Sequence, residues 1–308
     1  MSKPRSKLSD YLVYMVIRMT VCAVQALPFS TLPALAGGLA WLAYRVDRRH
    51  RQVAIDNLQH AFPDQFTKPQ IDQLVRQNYR HFCSLILEII HLPRRINPYN
   101  FVSYMELPQN PELLSRLLSD RPLFMVTGHF GNWEMAGYVL GLLGFTAHAV
   151  ARPLDNPFLD EYLRRFREKT GQKLLAKHGD FDKMQSILAA AGILATLADQ
   201  DAGQRGLFVD FFGRPASTHK AVALLALEHR VPLAVIGARK IAEPMRYELL
   251  VEDYILPEEY ENHQDAVVAI TQRFTTALER IVRKAPEQYF WLHRRWKHQP
   301  VRGRQRVA

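Results

Sequence analysis

Hydrophobic positions change their spacing at about residue 110. Before it the pattern is helical throughout. Residues 11–46 form the most apolar stretch of the chain, divided at Pro28 and Pro33. Its first part, 11–27, has Arg18 at its middle; its second, 29–46, holds Gly37-Gly38 and ends at Arg45. Residues 67–92 predict an amphipathic helix, because Thr67 and Gln70 have capping-box spacing and Leu74, Tyr79, Phe82, Leu85, Ile86 and Ile89 recur at helical intervals. A connection containing Pro and Asn runs from 93 to 110. Beyond it, short apolar runs alternate with helical ones. Segments 122–127, 146–151, 193–198 and 233–238 predict buried strands, and 247–252 a half-exposed or edge strand. Segments 133–143, 156–170, 181–190, 217–230 and 262–284 predict helices, the first two closed by Gly144 and Gly171. Strands alternating with helices imply an α/β fold, a mostly parallel sheet flanked by helices. The chain thus divides into a helical, membrane-anchoring region (1–110) and an α/β catalytic domain (111–308).

Charge sharpens the reading of the N-terminal part. Of 308 residues, 40 are Lys or Arg and 30 are Asp or Glu, and the pI is near 9.7. Lys3, Arg5 and Lys7 open the chain; Arg45, Arg48, Arg49 and Arg51 surround Asp47; Arg294, Arg295, Lys297, Arg302, Arg304 and Arg306 close it without an acid. These three patches exceed the whole net charge, so a near-neutral body carries basic edges. So basic a protein first suggests nucleic acid. Two of the patches, however, bracket the apolar stretch, which fits anionic lipid headgroups better. A spanning helix needs about 20 apolar residues without a central charge. A monotopic anchor therefore fits, with Arg18 snorkelling, Arg48 and Arg49 on headgroups and both ends on the cytoplasmic side. Two other readings stay open: a signal peptide cleaved after Val24-Gln25-Ala26, which Arg18 opposes, and an ordinary pair of core helices. In the C-terminal patch Tyr289, Phe290, Trp291 and Trp296 interleave with Arg294, Arg295 and Lys297. That mixture suits a lipid interface, with Trp296 and Arg295 as contacts, or single-stranded nucleic acid. Two cysteines, Cys22 and Cys83, make no disulfide framework. Zinc spacings, a Walker A loop and GxSxG are missing, and neither a metal nor a cofactor is expected.

Chemistry concentrates at 127–134, Thr-Gly-His-Phe-Gly-Asn-Trp-Glu, where a strand ends and a helix begins. In open α/β sheets reactive groups gather at such junctions. Gly128 and Gly131 let the backbone turn tightly. His129 is then a candidate general base, and Glu134, about one turn into the helix, a candidate to fix its tautomer and stabilise the imidazolium. Alone, that spacing equally describes a structural pair.

GHFGNWE closely resembles the His-x4-acid motif of the lipid A late acyltransferases, the bacterial lauroyl and myristoyl transferases. Arg152-Pro153-Leu154-Asp155-Asn156-Pro157 resembles a second family block. Asp199-Gln200-Asp201 with Gly203, Gly206 and Phe211-Phe212-Gly213-Arg214-Pro215 resembles a third, and 286–297 a C-terminal signature. The resemblance implies a glycerol-phosphate-acyltransferase-like fold at the bacterial inner membrane, active on the cytoplasmic side. It implies transfer of a fatty acyl chain from acyl carrier protein to a hydroxyl of a lipid A precursor, without an acyl-enzyme. His129 would deprotonate the hydroxyl and Glu134 would orient His129. Arg152 would face the same cleft and hold an oxyanion or a phosphate; Asn132, Asn156, Asp199 and Asp201 would line the substrate pocket, although Asn156 equally suits a helix cap. Asp201 is given no chemical step. Ser217 and Thr218 suggest a helix start, and His148, His178, His219 and His229 are read as structural or surface residues. Gly128 and Glu134 stand where related glycerol-phosphate enzymes usually carry Asn and Asp, and Pro215-Ala216-Ser217-Thr218 departs from the family's Thr-Pro-Ala order, which loosens the acceptor assignment. Alternatives are the same chemistry on another glycolipid, such as a phosphatidylinositol mannoside with an acyl-CoA donor, or a non-catalytic membrane-surface protein.

Overall fold

A computed structural model describes residues 6–176 and 180–300. Lys3, Arg5, His178, Arg302, Arg304 and Arg306, named above, lie outside the described residues.

Helix α1 (Lys7–Ala26) and helix α2 (Leu32–Val46) follow the divided apolar stretch. Their axes meet at 104° across the break that Pro28 introduces, and among the described residues no single helix is long and apolar enough to cross a membrane. Leu12, Val16 and Met19 of α1 and Leu39, Trp41 and Leu42 of α2 are exposed. Helix α3 (Arg48–Ala61) begins where the Asp47 side chain accepts the His50 N–H. Helix α4 (Lys68–Arg95) carries the predicted Thr67–Gln70 capping box. The helices before residue 110 share most of their core with the sheet: Tyr44, Leu58, Val75 and Tyr79 lie in one buried cluster with Phe124, Val126 and Val235, while Leu32, Ala36 and Leu87 form a small cluster of their own.

The remainder alternates as expected, with additions. In order come β1 (Met105–Glu106), α5 (Pro111–Leu117), β2 (Leu123–Thr127), α6 (Trp133–Leu142), β3 (Ala147–Ala151), α7 (Pro157–Glu168), β4 (Lys173–Ala176), α8 (Phe181–Ala189) and β5 (Ile193–Leu197). Then follow β6 (Leu207–Phe211), β7 (Arg214–Thr218), α9 (Ala221–His229), β8 (Leu233–Ala242), β9 (Arg246–Ile255) and α10 (Ala266–Lys284). Seven strands form one sheet in the order β1-β9-β8-β2-β5-β3-β4. All neighbours run parallel except β8 and β9. Side chains alternate across it: Phe124 and Val126 face the cluster holding Phe274 and Ile281 of α10, and Leu123 and Met125 face Leu113 of α5.

The clearest departure is at 217–218. Ser217 and Thr218 end strand β7, antiparallel to β6, instead of opening a helix. Both are fully buried, and the Ser217 hydroxyl donates to the Gly203 carbonyl, so neither is free to cap the helix that begins at Ala221. Strand β4 and helix α5 are too short to show a period.

Candidate active site

The site is built where β2 and β5 end. These strands are parallel neighbours, with Thr127 opposite Leu197. Two residues beyond each partner lie His129 and Asp199, so the same register that pairs the strands brings imidazole and carboxylate together. The Asp199 carboxylate binds His129 twice: Oδ2 accepts the backbone N–H at 2.8 Å, and Oδ1 meets ring Nδ1 at 2.8 Å. Asp199 is only 4% exposed. Burial pushes its carboxyl up, but the His129 charge and both hydrogen bonds outweigh that and hold it below the usual carboxylate range. Burial likewise pushes the imidazole of His129 down. The Asp199 charge and hydrogen bond, with Glu134's field added, outweigh it and leave His129 above its ordinary value. With the Nδ1 proton committed to Asp199, Nε2 carries the lone pair. The Gln200 amide nitrogen lies 3.4 Å from Nε2, and the Trp133 ring is 5.0 Å from the imidazole.

The turn carrying His129 is clamped on three sides. Gly131 N–H donates to the Gln288 carbonyl at 3.0 Å, Asn132 N–H to that of Ala238 at 2.9 Å, and Phe290 N–H to that of His129 itself at 2.9 Å. From α4, His81 Nε2 reaches the Gly131 carbonyl at 3.2 Å; burial pushes His81 down to about 4, so it is neutral and donates. Gly131 has φ +57°, and a Cβ there would stand 1.7 Å from the Ala238 carbonyl oxygen. Only glycine fits. Asn132 then caps α6, its side-chain oxygen accepting Met135 N–H at 2.9 Å.

Several expected placements change. Glu134 does not stand behind the imidazole. The first turn of α6 carries it toward α7, where Arg167 grips it with two parallel hydrogen bonds. Arg152 is at the surface, its side chain 77% exposed and 3.4 Å from Asp155, outside the cleft. Asn156 is the α7 cap, accepting Phe158 and Leu159 N–H groups, and its amide donates to the Asp10 carbonyl of α1. Asp199 is buried against His129, not open to substrate. Asp201 binds His298 Nδ1 at 2.6 Å and Gly203 N–H at 3.2 Å. Arg295 and Trp296 are not membrane contacts. Arg295 is 2% exposed, lies over Phe211 and bonds the Ser217 carbonyl and the Thr218 hydroxyl. Trp296 packs against Phe211 and His60. Arg48 and Arg49 are exposed, as expected of surface cations, whereas Arg18 lies 4.6 Å over the Tyr162 ring of α7.

Between α6 and the sheet lies an apolar cavity that His129 does not itself line, but Trp133, whose ring is 5.0 Å from the imidazole, does. Its origin is legible in residue size. Ala147, Ala149 and Ala151 occupy every second position of β3 and line it, joined by Ala195 of β5 and by Ala136 and Gly137 of α6. Trp133, Thr127, Glu134 and Arg167 line it as well. An amphipathic reading of 146–151 recognises a strand but passes over this stripe of small side chains. Asp199 as the histidine's partner, Gln200 and Arg167 were likewise missed. The available signal was that His129 and Asp199 both fall within two residues of the ends of predicted strands.

A histidine paired with a buried carboxylate at the C-terminal ends of parallel strands defines an α/β protein whose site is built for general-base chemistry. Sequence comparison fixes the class more narrowly. The profile of the bacterial lipid A biosynthesis acyltransferases matches residues 1–298, and the chain belongs to that family. It is thus an acyltransferase. It is 26% identical to the lipid A biosynthesis lauroyltransferase of Escherichia coli (strain K12), over 90% of this chain and 89% of that one. It is 24% identical to the palmitoleoyltransferase of the same strain, over 89% and 88%. A phosphatidylinositol mannoside acyltransferase of Mycobacterium tuberculosis (strain ATCC 25618 / H37Rv) is 32% identical over 104 residues, about a third of each chain.

Proposed function

We propose that the protein moves a fatty acyl chain from the thioester of acyl carrier protein to a hydroxyl of a lipid A precursor, with His129 as general base. The His129–Asp199 contact carries this reading. The acceptor hydroxyl gives its proton to His129 Nε2 while its oxygen attacks the thioester carbonyl. Asp199 stabilises the imidazolium so formed. The tetrahedral intermediate expels the thiolate, which takes the proton back from Nε2, so atoms and charges balance with no acyl-enzyme. Gln200, beside Nε2, offers an amide donor to the carbonyl oxygen as it gains charge. The cavity takes the acyl chain. Glu134 holds Arg167 at the cavity's rim and adds negative field to His129, a supporting role in place of direct contact.

The exposed apolar faces of α1 and α2, with Arg48 and Arg49 beyond them, support monotopic anchoring of the 1–110 region in the inner membrane. The 111–308 region then faces the cytoplasm. The mannoside-enzyme match spans a third of the chain, whereas lipid A enzymes match along nine-tenths, so a lipid A precursor is the preferred acceptor. The test is reconstitution of purified protein in anionic vesicles, offering acyl carrier protein or coenzyme A thioesters with a lipid A precursor or a phosphatidylinositol mannoside. Transfer from the carrier-protein thioester to the lipid A precursor is expected. Transfer to the mannoside alone contradicts the acceptor, and no transfer from either donor contradicts the reading.

A further inference from the structure

The far end of the cavity has an unusual wall. Leu113 and Leu117 of α5 and Leu140 of α6 close part of it, but Gln172 contributes a polar side chain. Gln172 immediately precedes β4, whose Lys173 lies opposite His148 of β3. It therefore stands level with Ala147, at the end of the strands opposite to His129. Two glycines one turn apart seat α6 on this corner. A Cβ on Gly141 would meet the Thr170 carbonyl at 2.1 Å, and one on Gly137 would meet Gln172 Nε2 at 2.5 Å. Gln172 is buried, and it also borders an open surface depression that His148, Lys183 and Ile187 line. Gln172 is thus the residue that the cavity and the depression share.

We propose that Gln172 is the stop that sets acyl-chain length, an inference that rests on the acyl-transfer reading above. A terminal methyl that reaches this wall meets an amide to which it cannot hydrogen-bond, so each further methylene is opposed by displacement of a wedged polar group. The alanine stripe from Ala147 to Ala151 spans four strand steps, roughly 13 Å. Carbon–carbon bonds of about 1.5 Å advance an extended chain by roughly 1.25 Å each, so about ten methylenes lie along it. Adding the carbons that reach His129 gives a preferred chain of about twelve. Removing the amide joins cavity to depression and lets longer chains pass. A methyl on Gly137 does the reverse, because it leaves the amide in the wall and takes up cavity space in front of it.

The test offers wild type, Gln172→Ala and Gly137→Ala an equimolar mixture of acyl carrier protein thioesters with 10, 12, 14 and 16 carbons, with a lipid A precursor in detergent micelles. Product masses are then read. Gln172→Ala is expected to raise the ratio of 16- to 12-carbon product about tenfold, and Gly137→Ala to shift product toward ten carbons by a similar factor. Unchanged ratios in a variant that still turns over overturn the assignment. Should Gln172→Ala fail to fold, Gly137→Ala decides alone, since its predicted shift has the opposite sign. Absence of transfer by wild type with any chain is a distinct result, and strikes the acyl-transfer reading itself.

Discussion

Replacing Asp199 by Asn tests the site's electrostatics while nearly preserving its shape. The carboxylate accepts two hydrogen bonds from one residue, His129 N–H and ring Nδ1, both at 2.8 Å. Asn has one acceptor oxygen for the two. If that oxygen keeps the backbone N–H, its NH2 faces Nδ1, and the imidazole avoids a donor–donor clash only by moving its proton to Nε2. That is the nitrogen whose lone pair must take the hydroxyl proton. The wrong tautomer in a comparable histidine–aspartate pair lowers kcat by about 10⁴, and a loss of 10³ or more, about 4 kcal/mol of transition-state stabilisation, is expected here. The pH profile gives a second readout. His129 is held above its ordinary value chiefly because Asp199 overcomes burial. A base works deprotonated, so wild-type activity should rise with pH along a limb above 6.5, and Asp199→Asn should move that limb to lower pH. The assay is steady-state acyl transfer in detergent from pH 5 to 9, with circular dichroism to confirm folding. Retention of more than a tenth of wild-type kcat with an unmoved limb would refute the reasoning.

Three further outcomes follow from the same geometry. Glu134→Gln strips Arg167 of its carboxylate at the cavity rim and should cost about 3 kcal/mol of stability by denaturant titration, with a smaller effect on the pH limb than Asp199→Asn; the opposite ranking would return the orienting role to Glu134. Gly131→Ala forces a Cβ into the Ala238 carbonyl at φ +57°, and since misplacing a reacting group by about 1 Å costs roughly 100-fold, kcat should fall at least that far, in contrast to a tolerated substitution at Gly38, where a Cβ meets nothing within 4 Å and φ is not positive. His81, pushed down to about 4 in the folded state, takes up its proton near 6.5 when unfolded. Its contribution is therefore complete above 6.5 and lost as pH falls toward 4, about 2 kcal/mol between pH 7 and pH 5, and His81→Gln should flatten that part of the stability profile measured by urea unfolding.

Local signals were readable and long-range ones were not. The capping box at Thr67 and Gln70, the strand ending at Thr127 and the reactive turn after it rest on neighbours in sequence, and the structure contains them as expected. Asp199 sits 70 residues from His129, and their meeting depends on the parallel register of β2 and β5, which periodicity alone leaves undetermined. Glu134 looked the natural partner because it was near in sequence, yet a helix turns its first residues by about 100° each and carried it to Arg167. Arg295 and Trp296 illustrate a different limit. Cations interleaved with aromatics have the composition of a lipid interface, but the Ser217 carbonyl, the Thr218 hydroxyl and the Phe211 ring were waiting for that guanidinium inside the fold. The basic-flanked apolar N-terminus differs again: its run of apolar residues was visible in the pattern, and among the described residues nothing covers Leu12, Val16 and Met19 of α1 or Leu39, Trp41 and Leu42 of α2.

Acyl transfer through His129 is tested most directly by mass spectrometry of total glycolipids from a host lacking this gene, complemented with wild type or with His129→Ala. Wild type alone should add one acyl mass to a lipid A species, of about twelve carbons. Equal restoration by both proteins would contradict the assignment of His129 as the base.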